Sequence, residues 1–212
     1  MRTRISARNF LALTLTATLA LTAMAAVSAR QERSLALASS KLTIDGSSNL
    51  HEWSATTTDV RITQSKLGVS LSDANFLEAI VKPGAFEAFE IAVPVATLKS
   101  GKDTLDKNMY KALKSPEVAN VTFRATKLQA GATAGTLRLT GLLKIATVQK
   151  EVTFDVTAQL AGALLTIKGT VPILMTDYGI EPPKAMLGML KTDPKVSVTF
   201  VTVLTVPPAA NF

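Results

Sequence analysis

Cysteine is absent from this 212-residue chain, and histidine occurs once. The first absence excludes disulfide staples, thiolate metal sites, thiol catalysis and lipid anchoring through an N-terminal cysteine. The second excludes any site built on two imidazoles. Aromatic residues are scarce at 5%, with a single tryptophan, and charged residues make up only 18%. The apolar share is 47%. That is ample for a packed core and rules out wholesale disorder, while the length fits one domain or two small ones.

Acid is missing from the beginning of the chain, where no Asp or Glu precedes Glu32. Arg2, Arg4 and Arg8 lead into an apolar run from Phe10 to Ala26, broken only by threonines, which ends at Val27, Ser28 and Ala29. A cationic start, an apolar middle and small residues at the cleavage position describe a secretory signal over residues 1–29. A run of about 17 residues is at the short limit for a membrane span, so an anchor is the weaker reading. The formal charge of the whole chain is +7. Removing three arginines leaves +4, scattered singly apart from a group at Lys107, Lys111 and Lys114. No basic stripe with interleaved aromatics is present, which argues against nucleic acid as a partner. Mild basicity instead favours transient contact with anionic lipid head groups.

From Lys41 onward the dominant period is two, with β-branched residues throughout, so antiparallel sheet is expected. The clearest strand is Glu151 to Leu160. Val152, Phe154, Val156, Ala158 and Leu160 share one face, and Thr153, Asp155, Thr157 and Gln159 share the other. About eight such strands are expected, closed into a barrel because a long open edge invites aggregation. Ala88, Ala92, Ala158 and Gly169 are read as small inward residues that leave room inside. A lipid-embedded barrel would invert the polarity. Pro207-Pro208 before the terminus, the lack of aromatic girdles and two amphipathic helices speak against it. The first helix follows Asp103, with Leu105, Met109, Ala112 and Leu113 at helical spacing, and stops at Ser115-Pro116. The second is expected from Pro182-Pro183 to near Asp193-Pro194, carrying Met186, Leu187, Met189 and Leu190. Met109 to Phe123 and Met186 to Phe200 match at a constant offset of 77, with six identities in 15 positions. The pattern reads as a duplicated helix–strand unit.

The order of these parts resembles the YceI-like family. Leu42 to Trp53 (Leu-Thr-Ile-Asp-Gly-Ser-Ser-Asn-Leu-His-Glu-Trp) is similar to its opening strand. Val93 to Gly101 followed by Leu105 to Met109 is similar to its central strand and helix. Ser115-Pro116 to Phe123, Leu137 to Lys144 with Val152 to Val156, and Thr176 to Ile180 resemble its later elements. The likeness covers most of Lys41 to Val206. It implies an all-β fold: a single eight-stranded antiparallel lipocalin-like barrel with two short helices. It also implies periplasmic location, no catalytic residues, no cofactor or metal, and a long-chain isoprenoid or other amphiphilic lipid as ligand. A homodimer is compatible with it. The organisation is then a signal peptide at 1–29, a flexible segment at 30–40, the barrel at 41–206 and a tail at 207–212.

Ligand contacts are expected from the inward positions Phe89, Ile91, Val93, Phe123, Phe154 and Phe200, and from the flexible thioethers of Met175, Met186 and Met189. His51, Trp53 and Tyr178 are candidates near the barrel ends. Each has a plainer reading: a rim aromatic beside a hydrogen-bonded imidazole, and a tyrosine packed on the barrel end while Asp177 forms a turn with Gly179. A metal at His51 would need ligands that no local spacing supplies. An exported carboxylate enzyme, built on two of Asp45, Glu52, Asp177 and Glu181, is a rival from another class. A structural or partner-binding module with a filled core is a third.

Overall fold

In the computed structural model, residues 34–69, 75–185 and 189–205 are described. The expected signal peptide, the tail at 207–212 and Met186 lie outside them. Within the described residues ten strands form: β1 (Ala36–Ser48), β2 (Glu52–Thr57), β3 (Arg61–Leu67), β4 (Phe86–Pro94), β5 (Asn120–Ala130), β6 (Thr136–Ile145), β7 (Val148–Ala161), β8 (Leu164–Leu174), the two-residue β9 (Lys184–Ala185) and β10 (Leu190–Thr205). Among the described residues there are also two short α-helices, α1 (Phe76–Ala79) and α2 (Asp103–Ala112), and 3-10 turns at Val95–Thr97 and Met175–Tyr178.

Period-two patterning drives the architecture. On β7, Val156 and Ala158 are buried while Thr153, Asp155, Thr157 and Gln159 are exposed. The apolar face therefore points inward and the polar face outward, opposite to a lipid-embedded barrel. Every paired strand is antiparallel, in the order β2-β1-β10-β8-β7-β6-β5-β4-β3, with β9 on β10. The long β10 returns between β1 and β8 and curls the sheet on itself. The two path ends, β2 and β3, are consecutive in the chain. Their seam carries a two-bond bridge between Thr56 and Lys99, and the Leu35 N–H donates to Ser65 Oγ at 2.9 Å.

Three expectations change. Nine strands, rather than eight, form the continuous path. The first begins at Ala36, so part of the segment assigned to a flexible 30–40 is strand. No helix forms in the described parts of Pro182–Pro194: Leu190 pairs with Ala185 and Lys191 with Lys184. The second helix is instead α1. Its Phe76 is 1% exposed and its Ile80 cap residue is buried, both in a cluster with Leu137, Val156, Leu165 and Leu204 that fills one end of the barrel. Only the strand half of the duplicated unit survives. Phe123 and Phe200 flank Phe154 with ring centroids at 5.6 and 6.2 Å.

Candidate ligand cavity

The opposite end of the barrel is hollow. A cavity of about 300 Å³ runs inside the strands, from α2 and β9 at one end toward Leu37 and Leu204 near the plugged end. That volume is at the lower bound of about 300–1,000 Å³ usual for small-molecule sites. Along β10 its wall alternates as Val196, Val198, Phe200, Thr202 and Leu204. The eight residue steps from Val196 to Leu204 span about 26 Å of strand. The hollow is therefore long and narrow. It is lined almost entirely by hydrocarbon, and among the described residues no carboxylate reaches it.

α2 closes the side of the mouth with a split surface. Leu105, Asn108, Met109, Ala112 and Leu113 face the cavity. Lys107, Lys111 and Lys114 share a depression on the outer side. The helix is held from below by Asp106, whose Oδ1 accepts from the Ser100 hydroxyl at 2.6 Å and the Ser100 N–H at 2.8 Å. The Ser100 hydroxyl, then its N–H and the Lys99 ammonium, hold Asp106 below the usual carboxylate range against the opposing effect of burial. Tyr110 adds a second tether, donating to the Leu98 carbonyl at 2.7 Å.

Eight of the anticipated contact residues line the hollow: Trp53, Phe89, Ile91, Val93, Phe123, Phe154, Met175 and Phe200. Three others do not. His51 sits in the exposed β1–β2 turn, with Nδ1 3.2 Å from Ser48 Oγ, because the strand starts only at Glu52. Met189 points to solvent at 67% exposure. Tyr178 is buried at 3% in the core around Met175 and Ile180, off the cavity wall, and Gly179 takes the left-handed conformation that closes its turn. Burial first, then the neighbouring Asp177, raises the Tyr178 hydroxyl above its ordinary value. Asp177 itself is exposed and pairs with Lys150 at 3.3 Å, and Glu181 pairs with Lys184 at 3.1 Å. Asp45 and Glu52 are exposed as well, so the four acids of the hydrolase reading do not converge on the hollow.

The room does not come from the small residues credited with it. Ala88 and Ala92 have the opposite parity to the lining positions Phe89, Ile91 and Val93. Ala158 belongs to the plugged end. Gly169 is covered by the Phe200 ring, since a Cβ there would lie 2.7 Å from Phe200 Cζ. Trp53 lies over Gly46 in the same way. Its Nε1 donor is buried and has no acceptor among the described residues.

Sequence reading missed the α2 face and the polar pair Ser40 and Thr202, whose hydroxyls satisfy one another at 2.9 Å within the wall. Parity could have found that pair. Ser40 continues the face of Leu42 and Ile44, and Thr202 that of Val198 and Phe200.

The model of the YceI-like domain matches residues 38–204. Among solved structures, a polyisoprenoid binding domain from Saccharophagus degradans, implicated in plant cell wall breakdown, superposes with a TM-score of 0.61 at 14% identity, covering 83% of this chain and all of that one. Burkholderia cenocepacia BcnA superposes at 0.60 with 17% identity, covering 77% of this chain and 95% of that one. The YceI protein of Campylobacter jejuni does so at 0.52 with 13% identity, covering 71% and 82%. At such identities the likeness is one of fold. No curated protein matches the chain. With a family model spanning most of its length, and the same curled antiparallel sheet in these neighbours, the chain belongs to the YceI-like domain family.

Proposed function

We propose that this protein is an exported, non-enzymatic carrier that holds a long apolar molecule, isoprenoid- or quinone-like, inside the barrel. The observation that carries the reading is the narrow hydrocarbon-walled cavity. Burial is worth about 0.8 kcal/mol per methylene, so ten buried carbons give about 8 kcal/mol before the cost of association. Affinity near micromolar at best follows from that surface alone. The name of the Saccharophagus degradans neighbour, a polyisoprenoid binding domain, supports the same class of ligand. The cationic start and apolar run of residues 1–29 support export, with the periplasm as destination.

Native mass spectrometry of the purified protein, followed by lipid extraction, tests this. The expected result is a co-purifying prenyl lipid, or uptake of a prenol or prenylquinone offered in detergent. A protein that arrives empty and takes up neither overturns it.

A further inference from the structure

Two large apolar side chains stand far out of the surface. Leu50 is 65% exposed and Met189 is 67%, against 36–45% for the next three large hydrophobics among the described residues. They are distant in sequence, yet one side chain joins their loops. Asn49 Nδ2 donates to the Met189 carbonyl at 2.8 Å, the Lys191 N–H donates to Asn49 Oδ1 at 2.8 Å, and the Asn49 N–H donates to the Lys191 carbonyl at 3.1 Å. An amide that uses both ends of its side chain to hold a lip together, while the flanking residues are apolar and exposed, makes a preset apolar tip. A solvated turn needs no such clamp.

The position of the tip matters. Leu190 and Thr192, on either side of the clamped Lys191, line the cavity mouth. Leu50 and Met189 therefore stand at the exit of the hydrocarbon hollow. The surroundings are cationic. Lys191 is exposed beside the clamp, and Lys184 faces it across the β9–β10 pair while bridging Glu181. The outer face of α2, whose inner face lines the same mouth, carries Lys107 and Lys111, which share a depression with Lys114 just after the helix and, among the described residues, with Glu117 as its one acid. Further exposed acids of this end are Glu52 beside Leu50, Asp193 beside Lys191 and Asp103 at the start of α2.

We propose that this end of the barrel docks on an anionic lipid bilayer, with Leu50 and Met189 entering the head-group region and the α2 lysines meeting phosphate. An apolar tip at a mouth whose flanking helix carries lysines on its outer side fits an interface that is hydrocarbon inside and anionic outside. The inference deepens the carrier reading by naming the surface at which a water-insoluble cargo is exchanged. A ligand that leaves through the mouth would then pass from one hydrocarbon environment into another without crossing water.

Vesicle flotation tests the proposal, using protein purified from an expressing bacterium and checked by intact mass to share one N-terminus across variants. The vesicles are phosphatidylcholine, with or without phosphatidylglycerol. Wild type is expected to float with the anionic vesicles, and Leu50→Asp/Met189→Asp to lose about tenfold or more in partitioning, since burial of large apolar side chains is removed. Lys107→Glu/Lys111→Glu/Lys114→Glu should lose about fivefold or more per lysine that meets the surface, and only on anionic vesicles. Wild type that floats with neither vesicle, or a Leu50→Asp/Met189→Asp variant that floats as well as wild type, overturns the proposal. So does a dimer in solution that this variant dissociates, which would assign the tip to a second copy. Uptake of prenol from detergent is read on the same samples and should be unchanged in the variants, which also verifies that they fold. Vesicle binding without any uptake would remove the carrier reading and leave the docking surface standing.

Discussion

The two ends of this barrel are made from the same strands with the same alternation, and they differ in what enters them. At one end α1 inserts Phe76 and Ile80 among Leu137, Val156, Leu165 and Leu204, and the interior is solid. At the other end no helix among the described residues is inserted into the interior. α2 lies over the side of the mouth and contributes wall rather than filling, so the barrel stays hollow. α1 is held by apolar burial, whereas α2 adds to the burial of Met109 against Ala55 and Leu98 the hydrogen bonds that Asp106 accepts from Ser100 and that Tyr110 donates to the Leu98 carbonyl. A single sheet thus divides its labour along its axis: one end is filled by α1, and the other keeps room beside its own buried cluster around Met175 and Ile180.

The same chemical change made at each end breaks or sharpens that division. Phe76→Ala removes a ring from fully packed surroundings and should cost about 3–5 kcal/mol in chemical denaturation. Phe123→Ala removes a ring that already borders the hollow and should cost about 2 kcal/mol or less. Prenol uptake should weaken in Phe123→Ala and persist in folded Phe76→Ala. Equal stability costs would show that the two ends are packed alike. The converse change fills the open end. Ala112→Phe projects a ring from α2 into the mouth and should weaken uptake by about tenfold, the effect of losing roughly 1.4 kcal/mol of ligand burial. Its own stability should move by under about 1 kcal/mol, because the ring enters space rather than displacing neighbours. Wild-type uptake by Ala112→Phe would mean that the ligand never occupies that part of the cavity.

Parity made most of the sheet legible. Residues such as Phe154 and Val156 declare their face because Asp155 and Thr157 declare the other, and the repeat at offset 77 correctly paired Phe123 with Phe200. Parity could not say which end would be hollow, since inward positions look identical whether a plug meets them or not. The plug itself is a four-residue helix, too short to show a period, and its Phe76 is one aromatic among few. The stretch after Pro182 misled for a related reason. Met186, Leu187, Met189 and Leu190 suit a helix face on spacing, but the ladder from Lys184 to Lys191 supplies tertiary hydrogen bonds that local propensity does not anticipate. Gly169 was read as space, although in a sheet a glycine is as readily a floor for the ring opposite. The tip at Leu50 and Met189 was invisible because Asn49 joins loops 140 residues apart.

The most local expected effect concerns the tether of the open end. Ser100 and Lys99 depress the Asp106 carboxyl, so the ionised form is bound more tightly in the folded state than in the unfolded chain. Its contribution is therefore complete above the unfolded value of about 3.9 and declines as pH falls through the lower folded value. Among the described residues, no comparable buried carboxylate braces the closed end, where the cluster is hydrocarbon. Hydrogen-exchange protection of α2 amides, corrected for intrinsic rates, should fall between pH 5 and about pH 3, while protection near Val156 and Leu165 stays level over the same interval. Asp106→Asn should remove the pH dependence at α2 and lower its protection at pH 6 by about 1.5–3 kcal/mol, the worth of a hydrogen bond to a charged acceptor. Parallel losses at both ends would mean that α2 is not separately tethered, and that the barrel opens as one cooperative unit.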